Sequence, residues 1–298
     1  MRAPIPAPLS LVRPSMSSYA ARVTGAALAL AVTGARARAQ TDYYNTDAGR
    51  PVQIEDAYAL EYRGLELQAA PFRLERTRGG VYNFGIEPQF AAGLFPRTQV
   101  EIGLPLAYVD AGGGRHTTAA AGADVSVLYN FNAETALPAF GVVAQVLLPV
   151  GGLAPDRAYP SLKGIATKTF PFARFHVNGQ YTFGSRPASA ETAAGAGVGT
   201  VSAVGAGPQA QEVSRWMAGA AVDRTFPLAS VLLTGELYAR QPLARGADVE
   251  YNAAVGSRYQ LTPRTALDGG IGRRLNGPDQ GWFVTVGSAY AFGLPWRR

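Results

Sequence analysis

Residues 82–92 (YNFGIEPQFAA) and 98–108 (TQVEIGLPLAY), joined by Gly93-Leu94-Phe95-Pro96-Arg97, decide how this chain folds. Tyr82, Phe84, Ile86, Phe90 and Ala92 share one parity, and Asn83, Glu87 and Gln89 take the other. After the turn, Val100, Ile102, Leu104, Leu106 and Tyr108 oppose Gln99 and Glu101. Successive side chains of a strand point to opposite faces, so each run has one apolar and one polar face. Proline presets φ near −65° in the five residues between them, which suits a tight reversal. Two amphipathic strands and a short turn form the repeating unit.

The unit recurs. Val125, Val127, Tyr129 and Phe131 oppose Asp124, Ser126 and Asn130; Phe175, Val177, Tyr181 and Phe183 oppose His176, Asn178, Gln180 and Thr182. Similar turns stand at Phe170-Pro171-Phe172-Ala173, Phe226-Pro227-Leu228-Ala229 and Leu261-Thr262-Pro263-Arg264-Thr265, with residues 132–137 as a fifth. They fall at every second connection, and the alternate connections are more variable, one running from 184 to 214. A soluble sandwich would show the same alternation, but it has no reason to sort its loops by length. Short turns at one end and longer loops at the other are the outer-membrane arrangement. The expected strands are 60–75, 81–92, 98–109, 121–131, 138–149, 161–169, 174–183, 215–225, 230–240, 249–260, 265–274 and 282–292. Those at 161–169 and 265–274 alternate poorly, and the apolar parity of the first switches around Pro71, as a bulge would cause. The fold class is therefore all-β: a transmembrane antiparallel up-and-down barrel of about twelve strands, with short periplasmic turns and longer extracellular loops.

The beginning of the chain agrees with export. Arg2, Arg13 and Arg22 precede or flank the apolar run 23–32, and Ala37-Arg38-Ala39 has the form of a cleavage site, so 1–39 reads as a signal peptide, with Met1 or Met16 as its start. The apolar run is well short of the roughly 20 residues that a spanning helix needs. The leader holds five arginines and no acid, so its removal lowers the formal charge from +6 to +1. A nucleic-acid partner is excluded on that ground. Residues 40–57 form a periplasmic N-terminal segment and a candidate plug, 58–292 the barrel, and 293–298 a tail; the 184–214 loop is a second plug candidate.

At the chain end, Thr285-x-Gly287-x-x-Tyr290-x-Phe292 resembles the signal that the barrel-assembly machinery reads on last strands, though here residues 293–298 follow it. The strings at 50–57 (RPVQIEDA), Leu74-Glu75-Arg76, Gly79-Gly80-Val81-Tyr82 and 96–101 (PRTQVE) resemble a family of bacterial outer-membrane barrels, transporters linked to meta-pathway phenol degradation. The resemblance implies a barrel that passes small, aromatic or hydrophobic compounds. It carries no functional residues over.

Chemistry-bearing signatures are few. Cysteine is absent, and the two histidines, His116 and His176, lie sixty residues apart with no spaced carboxylates, so no metal, cofactor or catalytic site is expected. An outer-membrane lipid hydrolase would need a serine beside a histidine on the lipid face. His116, in the Gly-rich stretch 111–116, has only Thr117 and Thr118 beside it. Gly195-Ala196-Gly197-Val198-Gly199 opens no helix and reads as a surface loop rather than a phosphate cradle. What remains is the polar parity, expected to line a lumen: Glu66, Gln68, Arg73, Glu75, Asn83, Glu87, Gln89, Gln99, Glu101, Asp124, Asn130, Gln145, His176, Asn178, Gln180, Arg215, Asp223, Glu236, Arg240, Asn252, Arg258, Gln260, Asp268 and Arg274. Acids lead in the early strands and arginines in the later ones. The expected partners are outer-membrane lipid, the barrel-assembly machinery and small solutes. The expected function is a passive conduit; a non-conducting structural or surface-interaction barrel and the lipid hydrolase are the alternatives.

Overall fold

A computed structural model describes residues 45–76, 82–110, 116–184, 214–243, 248–276 and 280–293. The leader, Tyr43-Tyr44, the glycine stretch at 195–199, residues 185–213 of the long loop and residues 294–298 of the tail lie outside the described residues.

Fifteen strand segments follow one another: β1 (Gly64–Arg76), β2 (Tyr82–Ile86), β3 (Gln89–Phe95), β4 (Thr98–Gly103), β5 (Leu106–Asp110), β6 (His116–Ala120), β7 (Ala123–Asn130), β8 (Ala139–Leu148), β9 (Tyr159–Thr169), β10 (Arg174–Thr182), β11 (Ser214–Phe226), β12 (Val231–Pro242), β13 (Glu250–Thr262), β14 (Thr265–Arg274) and β15 (Trp282–Gly293). Three pairs, β2/β3, β4/β5 and β6/β7, are single crossings broken at Pro88, at Pro105 and at Ala121-Gly122, so the chain makes twelve crossings. Proline has no N–H to give to a ladder. The neighbours bridge the breaks: Leu104 N–H donates to Pro88 O at 3.0 Å and Ala121 N–H to Pro105 O at 2.7 Å. Side-chain parity survives the two proline breaks, with Glu87 and Gln89 both inward across Pro88, but it inverts at Ala121-Gly122, since Ala120 lies opposite the outward Leu106 while Asp124 faces inward. The expected bulge in the first strand is present, with the register slipping between Gln68 and Ala70.

Every pairing is antiparallel, and β15 pairs along its length with β1, from Gly64 opposite Gly293 to Arg76 opposite Trp282. The ring closes. That closure is what a bilayer demands, because hydrocarbon cannot satisfy free backbone donors and acceptors. Towards the outer end the section β2–β5–β6 stops at β6, whose free side takes the Leu153 N–H on Ala120 O at 3.0 Å. The expected strand limits hold within a few residues, with one larger difference: the fourth crossing begins at His116 rather than at 121, because residues 116–120 pair with β5. His116 therefore opens a strand and stacks on Tyr108, ring centroids 5.7 Å apart, instead of standing in a loop.

The short connections lie at one end: Pro96-Arg97, 170–173, the 3-10 turn Pro227–Ala229, and 263–264. Arg97 and Ser230 adopt the left-handed conformation there, with φ of 59° and 52°. The outer face carries the apolar parity in the open: Val177, Leu237, Val255, Ile271 and Val286 are all more than half exposed. A soluble domain would not leave such a belt in water. In this fold hydrocarbon covers it, and the chain is an outer-membrane protein.

Candidate functional site: the lumen and the segment inside it

The inward face is polar and almost wholly buried. Glu66, Gln68, Glu87, Gln89, Asp124, Asn130, His176, Asn178, Asp223, Glu236, Arg240, Arg258, Asp268 and Arg274 are all less than a tenth exposed, and Gln99, Glu101 and Gln180 are half-buried on the same face. Arg215 differs. It is the extra residue where the β11–β12 register slips between Ser214 and Trp216, and it bonds the Leu243 carbonyl at the rim. Neighbouring amides steady three of the carboxylates: Gln68 donates to Glu66 at 3.1 Å, Gln89 to Glu87 at 3.1 Å and Gln99 to Glu101 at 3.3 Å.

These groups are buried because residues 45–57 occupy the lumen. The segment follows the inner wall before the chain enters β1. Near β13–β15, Thr285 Oγ1 donates to Pro51 O at 3.0 Å and Arg258 to Asn45 O. Against β12, Glu236 Oε2 accepts from two successive backbone groups, Gln53 N–H at 2.8 Å and Ile54 N–H at 2.7 Å. Asn178 of β10 makes a two-way pair with Glu55, accepting from its N–H at 2.8 Å and donating to its carbonyl at 2.9 Å. Lys163 of β9 reaches the Glu55 carboxylate at 2.6 Å. Ala57 N–H donates to Thr167 Oγ1 at 3.0 Å, its carbonyl accepts from Asn130 at 2.8 Å, and Leu60 N–H ends on Gln99 at 2.9 Å.

Apolar contacts alternate with the polar ones. Val52 packs with Ala254 and Phe283; Ile54 with Met217, Ala221 and Tyr238; Ala57 with Leu128, Ala139, Val143 and Ile165. Two inward glycines make the fit possible. A Cβ on Gly256 would stand 2.7 Å from Pro51 Cβ, and one on Gly270 would stand 2.4 Å from Pro51 O. Such separations are below van der Waals contact, so the wall at these positions is shaped to the segment.

Arg50 is fully buried among Asp47, Glu66 at 3.5 Å and Asp268 at 3.5 Å. Burial works against its charge, but Asp47 first, then Asp268, Glu66 and Glu101, outweigh it and hold the guanidinium above its usual range. Asp56 has the opposite balance. Burial pushes its carboxyl up to about 6, against the pull of Arg174, His176 and the N–H groups of Thr46 and Tyr58. A cavity of about 320 Å³ remains between the segment and the wall, lined in part by Asp47, Tyr58, Leu60, Glu66, Gln99 and Arg258.

One cluster has the outline of a nucleophilic relay. His176 Nδ1 lies 3.0 Å from Thr167 Oγ1, and His176 Nε2 lies 2.8 Å from Asp223, which Arg174 also grips through two bonds at 2.8 and 2.9 Å. Thr167 is fully buried, faces the lumen, and has Ala57 N–H on its hydroxyl oxygen. No lipid can reach that oxygen, so the geometry serves to position the segment. Among the described residues no three His, Cys, Asp or Glu groups converge for a metal ion.

Lys163, Thr167, Arg174 and Glu55 were not singled out in the sequence. Lys163 and Thr167 share a parity with Ser161 in the strand whose alternation is poorest, which was the available signal. The residues of the chain-end signal lie together on β15: Gly287 faces inward, where a Cβ would meet Asp268 Oδ1 at 2.2 Å, and Tyr290 and Phe292 stack outward at 6.2 Å.

No protein-family model matches the chain, and no curated protein does. Solved structures do. The crystal structure of an outer-membrane channel from Pseudomonas putida aligns with a TM-score of 0.52 at 14% identity, over 81% of this chain and all of that one. The KdgM porin aligns at 0.46 and 13% identity, over 76% and 99%. Outer membrane phospholipase A from Escherichia coli aligns at 0.38 and 9% identity, over 82% and 98%. At these identities the likeness speaks for the fold alone, an outer-membrane β-barrel.

Proposed function

We propose that this barrel is a passive channel for small solutes, held shut at rest by its own residues 45–57. The observation that carries the reading is how the inward polar row is satisfied. Glu236, Asn178, Thr167 and Asn130 make hydrogen bonds with the backbone of the segment rather than with one another. A wall built only to be filled would pair its own groups across the interior. Here the partner is a strip of chain tethered at one end, and moving it would expose a row of donors and acceptors to water and solute. The resemblance to transporters of the phenol meta-pathway supports small aromatic compounds as the cargo. The contacts of Tyr290 and Phe292 near the end of the last strand fit delivery by the barrel-assembly machinery.

The complete burial of Ile54 and Ala57 favours a second reading, a permanently filled barrel that conducts nothing. Planar-bilayer recordings of the mature chain and of a chain lacking residues 40–57 separate the two. A channel shows current steps in the unshortened chain too, at lower open probability than in the shortened one; an unshortened chain that stays silent while the shortened one conducts leaves only the filled barrel. Swelling of liposomes in phenol or benzoate solutions then tests the cargo class.

A further inference from the structure

The lipid side of the wall carries a feature that the lumen does not explain. One row of outward side chains runs Ala220, Leu237, Ala253, Arg273, Trp282 and Arg76, in register across β11 to β15 and on to β1. The next row towards the periplasmic end runs Phe175, Val222, Gly235, Val255 and Ile271. Directly opposed residues of adjacent strands are neighbours on one face. Ala220, Gly235 and Ala253 are small and the residues around them large. Together the two rows enclose a hollow of about 720 Å³ that opens towards the bilayer, with Arg273 and Trp282 at one end and Phe175 at the other.

Packing does not impose the glycine. A Cβ on Gly235 would meet nothing nearer than Val255 Cγ1 at 3.8 Å, whereas Pro51 crowds Gly256 and Gly270. The register also runs unbroken past Gly235 on both sides, so it marks no bulge. A glycine weakens a strand interior, and one that neither packing nor a bulge requires fits close approach by something outside the chain.

The charged end supplies the chemistry. Arg273 is exposed on the outer face and donates to the neutral amide oxygen of Gln280 at 2.6 Å; among the described residues no carboxylate pairs with it. Trp282 stands beside it and meets Tyr82 edge-on at 6.1 Å. These residues lie at the outer ends of their strands, where aromatic rings mark the level of the lipid headgroups. A guanidinium at that height, next to an apolar hollow, matches a molecule that joins a phosphate to acyl chains. The end is the extracellular one, so the lipid is that of the outer leaflet.

We infer that the hollow is a binding site for the phosphorylated glycolipid of the outer leaflet, lipid A, with a phosphate on Arg273 and an acyl chain along Ala253 and Gly235. The site does not depend on whether the lumen conducts.

The mature chain, freed of native lipid in detergent, is titrated with lipid A and read by native mass spectrometry, with dephosphorylated lipid A and phosphatidylglycerol as comparators. Lipid A is expected to bind and its dephosphorylated form at least tenfold more weakly. Phosphatidylglycerol, whose diester carries less charge than a phosphate monoester, should also bind more weakly. Arg273→Gln should lower lipid A affinity at least tenfold. Gly235→Leu fills the hollow and leaves the charge in place, and it should lower affinity at least fivefold. Arg224→Gln removes an outward guanidinium near the periplasmic end of β11 and should change nothing. Undiminished binding in Arg273→Gln or in Gly235→Leu overturns the site, and either variant is sufficient by itself. An equal loss in Arg224→Gln overturns it too, by reducing the effect to overall charge, and equal affinity for phosphatidylglycerol overturns the choice of lipid A.

Discussion

Glu236→Ala is the sharpest perturbation of the proposed closed state. The carboxylate accepts from two successive N–H groups, Gln53 at 2.8 Å and Ile54 at 2.7 Å, and both residues are buried. Losing a buried acceptor costs the desolvation of each donor left behind, roughly 1–3 kcal/mol apiece, or about 2–6 kcal/mol for the pair. Water entering the space of the deleted side chain would recover part of this, so about 2 kcal/mol is the figure to test. Since about 1.4 kcal/mol is a factor of ten in an equilibrium, the ratio of closed to open forms should fall roughly thirtyfold. The assay is open probability in planar bilayers, with the chain lacking residues 40–57 as the fully open reference and Glu236→Gln, which keeps one acceptor oxygen, expected between the two. If Glu236→Ala opens no more often than the unaltered chain while the shortened chain is open, this carboxylate is not the latch and the reasoning from its two bonds is refuted.

Gly256→Leu places a side chain where Pro51 already stands, so it should expel the segment and leave the barrel standing. Because the chain has no cysteine, Val52→Cys gives a single reporter: maleimide labelling should be slow alone and fast with Gly256→Leu, and equal rates would contradict the fit. The Asp56 carboxyl, at about 6 inside the lumen against 3.8 in water, binds its proton more tightly when the segment is seated. Its contribution is therefore fully present below about pH 4 and lost as pH rises through 6, about 3 kcal/mol at most. Open probability should rise from pH 5 to pH 7.5, and Asp56→Asn should flatten that rise; a rise of the same size in the variant would assign it elsewhere. On the outer face, Leu237→Arg puts a charge into hydrocarbon mid-strand and should destabilise the barrel by about 2–4 kcal/mol in urea titrations from lipid vesicles. An unchanged midpoint would mean that this face does not meet lipid.

The barrel was legible in the chain because its cause is local. Period-two alternation states which side of each strand meets lipid, and the turns at 95–98, 170–173 and 263–264 state where the chain reverses. Even the breaks at Pro88 and Pro105 leave the parity of Glu87, Gln89, Gln99 and Glu101 intact. Where local cues were weak, at 161–169, the strand was placed but Lys163 and Thr167 were passed over, since their importance comes from Glu55 and Ala57, about a hundred residues earlier. Arg215 obeys the parity of β11 on paper, but a bulge, which is a property of the pairing with β12, moves it to the rim.

By itself, then, the sequence determined the class of the protein, the number of its crossings and the inward parity of the strands that alternate clearly, because each of those follows from neighbours along one strand and from the solvent on either side. Tertiary structure alone decided what the inward groups do. Whether Glu236 faces water, another strand or the N–H groups of Gln53 and Ile54 depends on closure of β15 upon β1, which carries residues 45–57 into the ring. No pattern along the chain encodes that meeting. It exists only once the wall is complete and the segment has glycines such as Gly256 and Gly270 to lie against.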